Sequence, residues 1–98
     1  MKCIWYWKWR SDPFDDDKYM KVGQKVQKAM KENPDAFPKM SPGIHKGRGE
    51  GFRLVEGTYE QMKNLIAIWH PVENWKLEVY FEGEELTEAI RKWHPELF

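Results

Sequence analysis

The chain has 98 residues, enough for one small domain with a single core, expected over 1–98. Its 16 Lys plus Arg balance 16 Asp plus Glu, which argues against a dedicated polyanion binder. A lone cysteine, Cys3, precludes an intrachain disulfide and fits a reducing, cytoplasmic setting; no apolar run approaches the roughly 20 residues that cross a bilayer.

Residues 2 to 10 read as a strand, with four aromatic rings in the five positions from Trp5 to Trp9 (WYWKW). The start, Met1-Lys2-Cys3, has no small-residue cleavage site, so no signal peptide is expected. Ser11-Asp12-Pro13 breaks the strand. Asp15, Asp16 and Asp17 then open a helix, their charge suited to its positive end. Tyr19, Val22, Val26 and Met30 recur at helical steps and mark the buried stripe; Lys18, Lys21, Lys25 and Lys28 take the rest of the surface. Asn33-Pro34 ends the helix.

Met40 to His45 is a short strand candidate, and Lys46-Gly47-Arg48-Gly49 is a turn. Gly51 to Glu56 (GFRLVE) is a stronger strand. Thr58-Tyr59-Glu60-Gln61 is a capping box for a helix that buries Met62, Leu65, Ile66 and Trp69 and stops at His70-Pro71. Trp75 to Phe81 alternates like a strand, and Glu84 to Trp93 is a helix with Leu86, Ala89, Ile90 and Trp93 expected inward. The order β-α-β-β-α-β plus a terminal helix predicts an α+β, ferredoxin-like sheet with both main helices on one face.

Strand alternation sorts the sheet into two sets. Cys3, Trp5, Trp7, Trp9, Phe52, Leu54, Trp75, Leu77, Val79 and Phe81 are expected under the helices. Ile4, Tyr6, Lys8, Arg10, Arg53, Val55, Lys76, Glu78 and Tyr80 are expected on the second face. A face that mixes apolar and charged residues suits a partner or a pocket floor better than bulk water.

The stretch from His45 to Glu56 (HKGRGEGFRLVE), after a Trp-rich strand and before a Trp-bearing helix and a strand with Glu78-Val79, resembles a family of small prokaryotic domains of unknown function. That family lies within the dimeric α/β-barrel superfamily. The resemblance implies a homodimer with two sheets face to face, and a cleft between sheet and helices able to hold a small molecule. Relatives in that superfamily include cofactor-independent monooxygenases, isomerases and haem-handling proteins, so the resemblance implies no particular reaction.

The candidate ligand or interface residues are Tyr6, Lys8, Arg53, Glu78 and Tyr80. Arg53 or Lys8 suits a substrate carboxylate, with Tyr6 or Tyr80 as hydrogen-bond donor. Pairing of the same residues across a dimer interface is the favoured alternative. The choice between binding domain and enzyme stays open. Gly47, Gly49 and Gly51 read as a hairpin turn rather than a phosphate cradle, since they lead into a strand and not a helix. Arg48-Gly49-Glu50-Gly51-Phe52 partly matches the RNA-recognition signature, but Glu50 stands where an aromatic is wanted and Arg53 where an aliphatic is. Nucleic acid is therefore the third choice. His45, His70 and His94 with Cys3 lack metal-site spacing, and no cofactor motif is present.

Overall fold

In a computed structural model the chain forms an α+β fold with a five-stranded antiparallel sheet and three helices, compatible with a ferredoxin-like arrangement. The structure describes residues 1–10, 16–47 and 49–98. The break expected at Ser11-Asp12-Pro13, the contribution of Asp15 to the helix start and the turn position of Arg48 lie outside the described residues.

Strand β1 (Lys2–Trp9) leads to helix α1 (Asp16–Glu32), which ends before Pro34 as expected. The single strand anticipated at 40–45 is two pieces, β2 (Lys39–Met40) and β3 (Ile44–Gly47), interrupted by Ser41-Pro42-Gly43. Gly47 and Gly49 then take φ of 81° and 71°, the left-handed conformation that a tight turn into β4 (Glu50–Glu56) demands. Helix α2 (Tyr59–Trp69) starts on the expected capping box: Thr58 Oγ1 accepts from the Gln61 amide, and Gln61 Oε1 accepts from the Thr58 amide. Strand β5 (Glu73–Val79) begins two residues earlier than the alternation suggested and stops before Tyr80; helix α3 is Gly83–Trp93.

The strand order is β2-β4-β1-β5, with β3 also on β4, so β1 and β4 are central. Helices α1 and α2 pack on one face. The core between them and the sheet is Cys3, Trp5, Trp7, Val55, Met62 and Leu65, of which Leu65 is wholly buried.

Two sequence expectations are corrected here. The first is the facing of β4. Cys3 lies opposite Val55, Trp5 opposite Arg53 and Trp7 opposite Gly51, while Ile4 and Tyr6 lie opposite Leu54 and Phe52. Residues directly opposite share a face. Arg53 and Val55 therefore lie beneath the helices, and Phe52 and Leu54 on the open side. The reason is bulk: β1 sends large indoles inward, and the strand beside it must give way. A Cβ at Gly51 would collide with the edge of the Trp7 indole and with the Ile44 carbonyl oxygen. Gly51→Ala is accordingly expected to cost about 1–3 kcal/mol through overpacking, read as a lowered urea midpoint. An unchanged midpoint would contradict this packing.

The second correction concerns α3. Its Leu86, Ile90 and Trp93 do not face a core, and every residue of the helix is exposed. The stripe is present; the surface it was expected to meet is not part of the same chain's core.

Candidate functional site

Between the sheet and the helices lies a cavity of about 230 Å³, lined from β1 by Trp5 and Trp7, from α1 by Tyr19, Val26 and Met30, and from α2 by Trp69. Gln27, Met40, His45, Arg53 and Glu73 complete its wall. Strand alternation puts Trp5, Trp7, Arg53 and Glu73 on the same inner face.

Arg53 is held by π-systems rather than by an acid. Its guanidinium carbon lies 6.0 Å from the Trp5 ring centroid and 5.7 Å from that of Trp7, and Nη1 points at Met40 Sδ, 3.8 Å away. Two indole faces offset part of the cost of bringing a cation out of water. Among the described residues Arg53 makes no ion pair.

Glu73 is the one buried charged-type side chain among the described residues, at 3% exposure. Burial pushes its carboxyl up from the ordinary 4.5 to about 8, and the charge of Arg53 only partly opposes the shift. Glu73 is thus a neutral carboxylic acid at neutral pH, able to donate as well as accept. Tyr19 is also shifted up by burial; its ring packs 4.7 Å from Trp9 and 5.8 Å from Trp69. His45 meets Trp7 edge-on at 5.6 Å.

Three buried polar atoms here, Trp5 Nε1, Arg53 Nε and Glu73 Oε2, have no hydrogen-bond partner among the described residues. Buried polar groups in folded proteins are almost always satisfied, so three on residues of one cavity mark a place for a polar molecule. A groove near Pro34, Phe37 and Gln61 is larger, about 300 Å³. Its Gln61 is already engaged, donating to the Asp35 carbonyl and accepting from the Thr58 amide, and none of the buried polar atoms without a partner lies on it.

The five sequence-predicted site residues divide. Tyr6 and Glu78 meet on the open face, where Lys76 lies 5.7 Å over the Tyr6 ring and 2.6 Å from Glu78. Lys76 and a hydrogen bond from Tyr6 hold the Glu78 carboxyl below its usual range. Lys8 pairs with Glu50 at 3.4 Å, and Tyr80 lines a small groove with Leu54 and Lys39. Only Arg53 reaches the cavity, on the opposite face. Glu73 was missed, although it is in phase with Trp75, Leu77 and Val79 and continuing the alternation one step back would have placed it inside.

Among the described residues no group of three or more His, Cys, Asp or Glu side chains forms a metal site, and no helix is long and apolar enough to cross a membrane. No protein-family model matches the chain, and no curated protein or solved structure matches it.

Proposed function

We propose that the chain binds a small aromatic carboxylate in the cavity beneath the sheet. The reading is carried by the unsatisfied polar atoms of Arg53, Glu73 and Trp5 in a cavity otherwise walled mainly by aromatic and apolar side chains. The ring of such a ligand stacks among Trp5, Trp7, Tyr19 and Trp69. Its carboxylate goes to Arg53, the cavity's cation, which has no ion pair among the described residues, and the neutral Glu73 carboxyl donates to a ligand oxygen. The elevated Glu73 pKa serves this role, because an ionised Glu73 would neutralise Arg53 and repel an anion.

Benzoate and its uncharged counterpart benzyl alcohol are the probes. Benzoate is expected to raise the melting temperature and to bind in calorimetry, and Arg53→Gln is expected to weaken it about 10- to 100-fold, the effect of one charge-assisted hydrogen bond. Benzoate affinity should fall as pH rises past 8 and Glu73 ionises. If benzyl alcohol binds equally well, or Arg53→Gln leaves benzoate affinity unchanged, the carboxylate assignment is wrong. An isomerase or cofactor-independent oxygenase acting on such an acid would draw its proton-transfer group from Glu73, and turnover of the bound acid separates enzyme from binder.

A second reading is favoured by one observation. Tyr6 and Phe52 face each other on the two central strands of the open face, ring centroids 5.9 Å apart, with Lys76 over Tyr6 and Lys8 on the same face. Such a pair suits bases of a single-stranded nucleic acid, stacking being worth about 1–3 kcal/mol per base. Oligouridylate at low salt is expected to quench the intrinsic fluorescence, and Phe52→Ala to abolish the effect. No quenching at low salt removes this reading.

A further inference from the structure

Helix α3 stands away from the rest of the molecule. The chain extends 58 × 30 × 18 Å, and its radius of gyration is 16.9 Å, against about 13 Å for a compact domain of this length. Lys2 holds the root of the helix through Glu82 at 3.2 Å and Glu85 at 3.0 Å. Beyond that clamp, Leu86, Ile90 and Trp93 are 49%, 36% and 73% exposed, an apolar stripe at helical spacing with nothing upon it.

A second uncovered apolar surface lies on the preceding element. Strand β5 pairs only with β1, so one edge is free among the described residues. Trp75 and Val79, on the helix-covered side of the sheet, are 49% and 61% exposed, and Phe81 just beyond is 70% exposed. Natural sheets cover such edges, often with a helix.

The two surfaces fit one another. Trp75 to Val79 spans about 13 Å of strand, and Leu86 to Trp93 about 11 Å of helix. Only Tyr80, Phe81 and Glu82 join the two elements, and Glu82 is extended, which carries the helix away from its own strand. A short hinge that prevents closure within a chain favours the same contact between chains.

We infer that α3 is an exchange arm: in a two-fold dimer its Leu86–Ile90–Trp93 stripe lies on the Trp75–Val79 row of a second copy, which returns its own arm. The six exposed side chains offer on the order of 800 Å² per chain, about what each partner contributes to a standard interface. Because each arm meets a row of matched length and composition, the contact closes on itself without a third surface.

The test is mass in solution by light scattering on the full chain. The wild type is expected near twice 11.8 kDa, and both Trp93→Glu and Val79→Lys near 11.8 kDa with unchanged far-ultraviolet circular dichroism. Both positions are solvent-exposed within the chain, so neither substitution disturbs its core. Mixing the two variants in equal amounts should restore the dimer. In the mixed pair one arm contact keeps Trp93 on Val79, and the other sets the introduced acid against the introduced base. A monomeric wild type overturns the arm exchange and assigns the stripe to a different partner or a lipid surface. So does a dimer that survives Trp93→Glu, or a mixture that stays monomeric. Leu54→Glu, on the open face, should leave the mass unchanged; if it alone dissociates the dimer, the chains pair sheet to sheet and the arm is not the interface.

Discussion

Trp5→Ala is expected to lower folding stability by about 4 kcal/mol, within the range of about 3–5 for emptying a buried Trp site. A domain of this size has only about 5–15 kcal/mol in total, so the variant approaches unfolding at room temperature. Trp5 is 4% exposed on a central strand, packs 5.0 Å from Trp7 and belongs to the same cluster as Cys3, Val55, Met62 and Leu65. Its removal also takes one of the two indole faces from Arg53, leaving a half-buried cation less compensated. The new void is continuous with the existing cavity, so it fills with solvent more readily than a sealed hole, and added indole should recover part of the loss by mass action. Trp5→Phe is the control. It keeps a ring and discards an indole N–H that has no partner among the described residues, so its cost should be less than half as large. Urea midpoints at constant m-value measure all three; a Trp5→Ala loss under about 2 kcal/mol would mean that the wall collapses around the deletion and the cavity is not rigid.

The elements that could be read from the chain are those whose signal is local. Trp5 and Trp7 alternate with Tyr6 and Lys8, and β1 turns the indoles inward as that alternation requires. The Thr58–Gln61 capping box forms because its two bonds need only four consecutive residues. The phase of β4 was not local. Gly51-Phe52-Arg53-Leu54-Val55 offers apolar residues to either face, and composition favours burying Phe52 and Leu54 over Gly51 and Arg53. The structure chooses the reverse because Trp7 on the neighbouring strand occupies the space a side chain at position 51 would need. That choice carries Arg53 from the open face into the cavity, so the candidate site was half legible: its cation was named, its location was not. The α3 stripe teaches a related lesson. Spacing reveals that Leu86, Ile90 and Trp93 share a side, but not whether the surface they meet belongs to the same chain.

Stability should fall as pH rises from about 4.5 to about 8, and Glu73→Gln should abolish most of that fall. The folded-state pKa of Glu73 is raised to about 8 from the ordinary 4.5, so between those values the native state holds a proton that the unfolded chain has released. Stability therefore decreases with pH across this window: the neutral acid's contribution is fully present below 4.5 and lost by 8. At 1.36 kcal/mol per unit the whole effect is about 5 kcal/mol, an upper bound because water entering the cavity would screen the charge. Above 8 the ionised carboxylate shares the inner face with Arg53, whose attraction already tempers the shift. Glu73→Gln cannot ionise. It should match the wild type near pH 5 and exceed it by several kcal/mol at pH 9 in urea titrations, the difference between the two proteins removing every other titrating group from the comparison. Parallel profiles would mean that Glu73 is already charged in the folded protein, and Arg53 would then have an acidic partner and no charge to spare for a ligand carboxylate. The pH dependence of folding thus bears on binding before any ligand is identified.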